Sequence, residues 1–374
     1  MDVPETTLAA IKVGPSTMEF RELDLPEISE DAALLRVEVA GVCGTDVSQY
    51  RLPLRGGNPI IMGHENVGYL AKVGRKFAQR KGVKEGDFVF PEHYVPCGNC
   101  EWDHMGEYRH CANTEWFYDP QAIRLGYTSM DVAPGLWGGF SHYVYLPENA
   151  IIHKIPEGLT AIEAGVVTPM SNGVQWALLD GEVKYGTKVL IQGPGQQGLC
   201  CTMNCKLAGA DLIIVTGTSR DAPRLEVAKA FGADAVIDVQ SEDAVARINE
   251  LTGGEGVDVI LDCTSGAGSA PILLGVEAAK RRGATMVMQA EGGEALFPDF
   301  PIGRITRKAM TLKSARGHSY RAVELALHQL ASHRFPLDRM TTHKFGLKEV
   351  DFAIKSVGGQ GAPGAIHVSV MPWE

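Results

Sequence analysis

The chain has 374 residues, with 35 lysine and arginine residues against 45 aspartate and glutamate residues and a net charge of −10. This acidic balance argues against a protein that neutralises phosphates along nucleic acid or an anionic membrane surface. A helix that spans a membrane needs about 20 consecutive apolar residues, and no uncharged stretch of the sequence is that long. At about 150 residues per domain, the length predicts two or three domains. Residues 1–5 lack the basic and apolar regions of a signal peptide, so we expect a cytoplasmic location.

Residues 1–150 combine short β segments with frequent turns. Segments 34–39, 66–70 and 88–90 are apolar and β-branched, and glycine and proline separate them. This pattern favours an irregular, barrel-like β unit. We expect the charged residues from 75 to 84 to form a solvated loop.

Three potential metal ligands lie in two loops of this β unit. Cys43 precedes Gly44-Thr45-Asp46, and His64 and Glu65 are neighbours in the second loop. A thiolate, an imidazole and a carboxylate are reasonable zinc ligands. Alone, Cys43 could be a buried thiol and His64 a core histidine. Together, ahead of a nucleotide-binding pattern, they predict a zinc site.

The eight cysteines fall into groups of different character. A chain of this length is no disulfide framework, and a cytosolic environment keeps thiols reduced. One group lies in a segment with the pattern of a buried helix and is expected in the core: Cys200, Cys201 and Cys205. Another group has the spacing of metal ligands: Cys97, Cys100 and Cys111.

From about residue 188 the pattern changes to alternating strands and helices. Strands are predicted at 189–191, 212–215, 235–237, 257–261 and 285–288, and helices at 199–208 and 224–231. Such alternation predicts βαβ units and a parallel sheet. The tail, with a helix at 320–332 and a strand at 366–370, could join either unit.

A glycine motif follows the first of these strands and opens a helix. The first glycine permits a tight turn, the second lets the backbone approach a pyrophosphate, and the third lets the helix pack on the strand. The helix N-terminus offers free N–H groups to phosphates. We therefore predict a dinucleotide site that includes Gly193, Gly195, Gln196, Gln197 and Gly198.

The end of the second strand bears on the choice between NAD and NADP. An NAD site has an acidic residue about 20 positions beyond the glycine motif, and here that position is Ser219. Arg220 could hold the 2′-phosphate of NADP or be a solvated loop cation, whereas Asp221 could approach a ribose. The residues favour NADP at a site formed by Ser219 and Arg220, with NAD as the alternative.

These motifs occur in the order of the zinc-dependent medium-chain dehydrogenase/reductase family, which the chain resembles over essentially its whole length. Gly138-Gly139-Phe140 and the segment 207–210 extend the resemblance. It implies a GroES-like β catalytic domain (1–167) and a Rossmann cofactor domain with a doubly wound parallel sheet (168–316). The C-terminal segment (317–374) would return to the catalytic domain.

The resemblance also implies how the catalytic zinc is held. Cys43 and His64 would be ligands, and Glu65 would be a ligand in some states or a mobile second carboxylate. The family's third protein ligand aligns with Thr168, whose neutral hydroxyl is a poor zinc ligand. Weak zinc binding is therefore an open alternative.

Further roles follow from the same resemblance. Thr45 would pass the substrate's proton outward, with Asp46 supporting the site. Ser48 occupies a position where family members often have a histidine of the proton relay. His367 occupies a position that is often a cation near the cofactor pyrophosphate.

A second, structural zinc is implied by the cysteine lobe. The family uses four cysteines there, and Asp103 replaces the third of them, with His104 and His110 as nearby substitutes. Three thiolates and a carboxylate can close a tetrahedral site. The implied ligands are Cys97, Cys100, Asp103 and Cys111.

The implied reaction is hydride transfer between a small-molecule alcohol or ketone and NAD or NADP, with zinc as Lewis acid. An aromatic group favours a bulky or cyclic substrate unless it merely anchors a loop: Trp116, Phe117, Tyr118, Tyr127 and Trp137. The alternatives are a polyol or sugar dehydrogenase of the sorbitol type, a zinc-free reductase and a catalytically silent dinucleotide-binding protein. Family members commonly form homodimers or homotetramers by pairing sheet edges, for which segment 311–314 is the candidate.

Overall fold

A computed structural model of the chain describes residues 2–115, 119, 121–289, 297 and 299–374. The strands are β1 (Thr6–Gly14), β2 (Thr17–Asp24), β3 (Ala33–Val42), β4 (Ile60–Ile61), β5 (Glu65–Val73), β6 (Phe88–Pro91), β7 (Tyr143–Leu146), β8 (Ile152–Lys154), β9 (Lys188–Gln192), β10 (Leu212–Gly217), β11 (Ala235–Asp238), β12 (Val259–Asp262), β13 (Thr285–Gln289), β14 (Thr311–Ala315), β15 (Thr341–Gly346) and β16 (His367–Met371). The α-helices are α1 (Gly44–Arg51), α2 (Arg75–Lys81), α3 (Glu101–His104), α4 (Ala161–Ala164), α5 (Val167–Gly173), α6 (Gln196–Leu207), α7 (Ala222–Ala230), α8 (Ala244–Thr252), α9 (Ala270–Ala278), α10 (Ile302–Arg307), α11 (Tyr320–Ala331) and α12 (Val350–Val357).

The chain divides into two compact units. The first unit comprises residues 1–168, 319–333 and 341–374, and the second comprises residues 169–318 and 334–340. The helix α5 continues as a π-helical segment, Val174–Asp180. In the described ranges, the helices are all too short or too polar to cross a membrane.

Two antiparallel-rich sheets build the first unit. The larger sheet has the strand order β15-β16-β3-β5-β6-β8, with β7 also paired to β3, and the smaller has the order β2-β1-β4. The strand β3 lies in the middle of the larger sheet and is buried along most of its length. Residues of β3 such as Leu35, Val37 and Ala40 form the centre of the apolar core of this unit. This architecture confirms the predicted GroES-like β domain.

The register of β3 determines what lies at its C-terminal end. Gly41 is paired with Glu65 of β5 on one side and with Ser369 of β16 on the other. A side chain on Gly41 would lie 2.6 Å from the Glu65 carboxylate and 3.2 Å from the His367 ring. Because Gly41 has no side chain, both groups fit against the backbone of β3.

The second unit is a doubly wound parallel sheet, as predicted. Its strand order is β11-β10-β9-β12-β13-β14, and each neighbouring pair is parallel. The strand β9 is buried at Val189, Leu190 and Ile191, which explains its continuous apolar sequence. The strand order reverses between β9 and β12, and in such sheets ligands bind beyond the carboxyl ends of the strands at this point. Cys200, Cys201 and Cys205 on α6 are fully buried, as expected.

Two features of the first unit differ from the sequence predictions. Residues Arg75–Lys81 form the helix α2, whereas the sequence predicted a loop. Phe77 is the one buried residue of this helix, and Gly82 ends the helix with a left-handed φ of 65°. The hairpin of β1 and β2 was not predicted, because β2 is exposed at most positions and most of its residues are polar.

The tail joins the first unit through β15 and β16, which pair in parallel beside β3. Close to the chain end, the indole N–H of Trp373 donates a hydrogen bond to the carbonyl of Val37 in β3, at 2.8 Å. The same indole stacks on the ring of His142, with 4.1 Å between the ring centroids. The C-terminal residues are therefore part of the sheet that carries Cys43 and Glu65.

Candidate functional site

The three predicted ligands of the first metal site lie together in the first unit. Ligand atoms of Cys43, His64 and Glu65 are all within 4.8 Å of one another. Cys43 immediately follows β3 and caps α1, while Glu65 begins β5. Because these two strands are antiparallel, the end of one meets the start of the other.

Asp46 holds this group in place from the first turn of α1. One carboxylate oxygen accepts a hydrogen bond from the backbone N–H of Cys43 at 2.9 Å, and the other lies 3.3 Å from Nδ1 of His64. Asp46 is fully buried. A carboxylate on Nδ1 fixes the ring of a ligating histidine and leaves Nε2 for a metal.

The donor chemistry of this group fits zinc. Both carboxylate oxygens of Glu65 are buried and accept no hydrogen bond from any described residue. Burial raises the pKa of Glu65 to about 7. A buried carboxylate without donors is costly unless a cation compensates it. A thiolate, an imidazole and this carboxylate supply the sulfur, nitrogen and oxygen ligands that zinc accepts.

Thr168 is buried, and its hydroxyl makes no hydrogen bond to a described residue. The assignment of Glu65 as the third protein ligand stays a prediction.

The two predicted proton carriers lie along α1. The Thr45 hydroxyl is 3.5 Å from the Cys43 sulfur. Ser48 is exposed one turn further on, with its hydroxyl 3.5 Å from the carbonyl of Gly44. Thr45 is therefore beside the metal ligands, and Ser48 is on the solvent side of the same helix.

His367 lies deep in the first unit on β16. Its ring is fully buried, and Nε2 is 4.0 Å from Oε2 of Glu65. Burial lowers the pKa of His367 to about 4, so the ring is neutral near pH 7. Its predicted contact with the cofactor stays a prediction; its position beside Glu65 was not apparent from the sequence.

The second group of predicted ligands is also assembled. Ligand atoms of Cys97, Cys100, Asp103 and Cys111 lie within 4.8 Å of one another. A carboxylate oxygen of Asp103 accepts hydrogen bonds from the backbone N–H of Gly98 at 2.8 Å and from the Cys97 thiol at 3.1 Å. Burial would raise the pKa of Asp103, but hydrogen bonds from the Cys97 and Cys100 thiols hold it below its ordinary value. Asp103 is thus positioned where the fourth ligand of a closed site would be.

The second unit carries a cavity of about 530 Å³ along the glycine motif. Gly193 has a φ of 90°, as the tight turn requires. A side chain on Gly195 would extend into open space, whereas one on Gly198 would lie 1.9 Å from the carbonyl of Gly193. The turn is therefore closely packed on one side and open to a ligand on the other, which fits a bound pyrophosphate.

Gln196 and Gln197 form the first turn of α6, directly after this glycine turn. Their side-chain oxygens are buried and have no hydrogen-bond partner among the described residues. Buried polar atoms are nearly always hydrogen-bonded in native proteins. Neither glutamine is among the residues that line the cavity, so their contact with the cofactor stays a prediction.

Of the residues that follow β10, Ser219 and Asp221 make hydrogen bonds to other side chains of the protein, whereas Arg220 faces the cavity. Asp221 accepts hydrogen bonds from the backbone N–H and hydroxyl of Thr218, at 3.0 and 2.6 Å, and from Arg224 at 3.2 Å. The hydroxyl of Ser219 donates to Asp238 at 2.6 Å. Arg220 is exposed and lines the cavity. Asp221 is thus engaged in the loop, and Arg220 faces the ligand space.

Two smaller cavities lie in the first unit and share Tyr127. The inner cavity, of about 220 Å³, includes Lys12 and Gln49, and the outer cavity, of about 160 Å³, includes Asn58. The ring centroid of Tyr127 is 5.1 Å from that of His64. One aromatic ring therefore separates these cavities from the metal-ligand group. The sequence drew attention to Tyr127 but not to Lys12.

The other aromatic candidates do not line these cavities where they are described. Trp137 is buried in the apolar core, and its indole N–H donates to the carbonyl of Val132 at 2.7 Å. Residues 116–118 lie outside the described residues. Of the described aromatic candidates, Tyr127 is the one that lines the two cavities.

Comparison with known proteins identifies the family. A model described as "Zinc-binding dehydrogenase" matches residues 198–332, and one described as "Alcohol dehydrogenase GroES-like domain" matches residues 29–157. The chain belongs to the zinc-dependent medium-chain dehydrogenase family. It is an NAD(P)-dependent oxidoreductase that acts on an alcohol or the corresponding carbonyl compound.

Individual relatives agree with this family. The chain is 34% identical to a probable alcohol dehydrogenase of Mycobacterium tuberculosis, over 97% of this chain and 98% of the relative. It is 30% identical to sorbitol dehydrogenase of Bombyx mori, over 92% of this chain and 94% of the relative. A crystal structure of an Escherichia coli oxidoreductase of unknown specificity superposes with a TM-score of 0.82 at 26% identity, covering 98% of this chain and 99% of the other.

Two of the three glycines of the motif, Gly195 and Gly198, provide a matched pair of variants. We expect Gly195→Ala to fold normally and to bind the dinucleotide weakly, because its methyl group enters the ligand space. We expect Gly198→Ala to lower the thermal stability, because its methyl group meets the Gly193 carbonyl. Differential scanning fluorimetry and titration with NADP and NAD measure the two effects. A stable Gly198→Ala protein, or undiminished binding by Gly195→Ala, would contradict this description of the turn.

Proposed function

We propose that this dehydrogenase interconverts a polyhydroxylated alcohol and its carbonyl form, with NADP as hydride carrier and zinc at Cys43, His64 and Glu65. The single observation that supports it most is the assembly of these three ligands within 4.8 Å, with the Glu65 oxygens lacking any other partner among the described residues. The second unit supplies a cavity that fits a dinucleotide. The alternative of a catalytically silent binding protein is not supported, since the relatives are named dehydrogenases.

The chemistry divides between the metal and the protein. When bound, zinc supplies Lewis-acid stabilisation of the alkoxide from which hydride leaves. Asp46 keeps His64 and the Cys43 backbone in a fixed orientation through its two carboxylate oxygens. Thr45, 3.5 Å from the Cys43 sulfur, would accept the alcohol proton as its own hydroxyl proton is released to water, and the exposed Ser48 lies one turn further along the helix on the solvent side. No strong protein base is needed in this scheme.

The lining of the cavities favours a polar substrate over the bulky or cyclic substrate that the aromatic residues of the sequence suggest. Asn58 and Ser129 line the outer cavity and offer hydrogen-bonding groups to hydroxyls. Tyr127 is the aromatic group of this lining. A sugar alcohol or a similar polyol makes use of such groups, whereas an apolar ring would leave them unpaired.

The contacts at the end of β10 support NADP. Asp221, the only acidic candidate for the ribose in the segment 216–221, is already bound by Thr218 and Arg224. Arg220 is exposed in the cavity, and a guanidinium matches the geometry of a phosphate. We therefore assign the 2′-phosphate to Arg220.

The cysteine lobe is proposed to hold a second zinc through Cys97, Cys100, Asp103 and Cys111. The hydrogen bonds from Gly98 and Cys97 orient the Asp103 carboxylate toward the thiols. Burial raises the pKa of Cys111 to about 12, so this thiol needs a cation in order to ionise near pH 7.

The first test counts zinc and turnover together. We expect the purified protein to hold zinc at both groups, and Cys43→Ser to lose one equivalent together with its alcohol-dependent reduction of NADP. Cys97→Ser is the matched variant and should lose the other equivalent, with a lower melting temperature. Elemental analysis, absorbance of the reduced cofactor and thermal melting provide the three readouts. If Cys43→Ser retained turnover, the assignment of the catalytic metal would be wrong.

The cofactor assignment is tested by Arg220→Ala. A charge-assisted hydrogen bond contributes about 1.5–3 kcal/mol, so we expect kcat/KM for NADP to fall about tenfold to a hundredfold. The value for NAD should change little, since NAD has no 2′-phosphate. Arg281→Ala, outside the cavity lining, is the control. An equal loss with both cofactors would contradict the assignment.

We further propose that two copies of the chain pair through β14. This strand is at the edge of the parallel sheet, and edge strands offer unpaired backbone groups. Light scattering of the full chain should therefore give a dimer or tetramer, and Leu312→Pro, which removes a backbone donor from β14, should lower the mass. A strict monomer would contradict this proposal.

A further inference from the structure

A pair of cysteines in the second unit has no part in the proposed hydride transfer. Cys263 directly follows β12 and lines the cavity along the glycine motif. Cys201 lies on α6, the helix that this motif opens. The two sulfur atoms are 3.8 Å apart and share a hydrogen bond. The sulfur atoms of a disulfide are about 2.0 Å apart, so bond formation brings these two about 1.8 Å closer.

The two thiols differ in their access to the cavity. Cys263 is partly exposed, whereas Cys201 is fully buried. An accessible thiol beside a second, resolving thiol is the arrangement that reversible oxidation uses, because the first meets the oxidant and the second completes the disulfide. The sulfur of the neighbouring Cys200 contacts the sulfur of Met340 instead, at 3.9 Å. Among the described cysteines, Cys201 is therefore the partner of Cys263.

The environment of the pair makes its oxidation slow. The hydrogen bond with Cys201, followed by burial, raises the pKa of the Cys263 thiol well above its ordinary value. Hydrogen bonding to Cys263 lowers the pKa of Cys201, but burial and the thiols of Cys205 and Cys200 raise it overall. Since the thiolate is the attacking species, both thiols react slowly near pH 7 and faster at alkaline pH. The final balance between dithiol and disulfide depends on the reduction potential of the pair and not on this rate.

Cys263 is tied through its backbone to the glycine turn that faces the dinucleotide. Its N–H donates a hydrogen bond to the carbonyl of Gln192, the last residue of β9, at 2.9 Å. A side chain on Gly193 would lie 3.1 Å from the carbonyl oxygen of Cys263. Because protein interiors are close-packed, a movement of Cys263 toward α6 displaces the cavity wall and the turn beside it.

We propose that Cys201 and Cys263 form a reversible disulfide that lowers the affinity of the cavity for NADP or NAD. The oxidant is a low-molecular-weight disulfide such as glutathione disulfide, which is smaller than a dinucleotide. The Cys263 thiolate attacks one of its sulfur atoms and releases one glutathione thiolate. The Cys201 thiolate then attacks the sulfur of Cys263 in this mixed disulfide and releases the second. The two protein sulfurs lose two electrons, glutathione disulfide gains them, and the two thiol protons pass to the released thiolates.

The effect on cofactor binding is reciprocal. A dinucleotide in the cavity covers Cys263, so it favours the dithiol by the same factor by which the disulfide weakens its binding. The disulfide therefore forms mainly in enzyme that has lost its cofactor. This inference rests on the dinucleotide site of the proposed function, and neither on the substrate nor on the choice between NADP and NAD.

The test is a redox titration of the full chain loaded with zinc. The protein is equilibrated at pH 8 in glutathione buffers of increasing oxidation, without cofactor or with saturating NADP or NAD. We expect mass spectrometry of peptides to show a Cys201–Cys263 cross-link, and fluorescence titration to show that oxidation raises Kd about fivefold or more, as coupled sites typically give. A fivefold change corresponds to a midpoint potential about 20 mV higher with saturating cofactor. Zinc content is measured in parallel, so that oxidation of the proposed ligand cysteines is recognised.

Variants of the two cysteines test the pair itself. In Cys263→Ser and in Cys201→Ala, we expect no cross-link and the same Kd in reducing and oxidising buffers. Cys205→Ala is the matched control, since Cys205 is another buried thiol of α6. It should keep both the cross-link and the change in Kd. If Cys201→Ala does not fold, Cys263→Ser at the partly exposed position provides the same test.

The outcomes separate this inference from the proposed function. Absence of the Cys201–Cys263 cross-link in the most oxidising buffer, or a cross-link to Cys205 in its place, would overturn the site. A cross-link that left Kd and the midpoint potential unchanged would overturn its coupling to the cofactor. If the reduced protein bound neither NADP nor NAD, the proposed function would fail as well, and this is measured before any oxidation.

Discussion

The arrangement of Cys43, His64 and Glu65 in the first unit depends on the simultaneous pairing of β3 with β5 and β16. Gly41 is opposite Glu65 on one side and Ser369 on the other, so the strand ends between β5 and β16. A residue with a side chain at this position would collide with the Glu65 carboxylate at 2.6 Å. Cys43, two residues further on, owes its position beside His64 and Glu65 to this register. A slip of one residue would turn the ligands to opposite faces of the sheet.

The same register explains why the site combines rigid and adjustable parts. One carboxylate oxygen of Asp46 accepts a hydrogen bond from the backbone N–H of Cys43, and the other lies 3.3 Å from Nδ1 of His64. The Glu65 carboxylate accepts no such hydrogen bonds from the described residues. On β16, the ring nitrogen Nε2 of His367 lies 4.0 Å from Oε2 of Glu65. The neutral His367 leaves the carboxylate available to a metal. The assignment of Cys43, His64 and Glu65 as zinc ligands stays a prediction.

Much of this organisation could be predicted from the sequence, because its signals are local. The glycine motif, with a strand before it and a helix after it, predicted the turn at Gly193 and the parallel sheet. Cys43, His64 and Glu65 could be proposed together because each residue type is a metal ligand. Their closeness follows from strand pairing, and the motif order of a known family made that pairing predictable.

Other features depend on long-range contacts that the sequence does not express. Lys12 looks like an ordinary strand residue, and only the tertiary structure shows that it is buried beside Gln49. The involvement of Asp221 with Thr218 could not be read from the segment, which left ribose binding open. The helix α2 was missed because a single buried residue, Phe77, gives no helical periodicity.

The route of the chain through β16 has a consequence for biosynthesis. The second unit consists mainly of the continuous segment 169–318, so its sheet can form while the ribosome is still translating the rest. The larger sheet of the first unit lacks β15 and β16 until residues 341–371 have emerged, since Val42 pairs with Val368. Closing so long a loop carries an entropic cost that an already folded insert reduces, because it shortens the effective loop. The sheet of the second unit can therefore form before β16 completes the sheet beside Cys43 and Glu65.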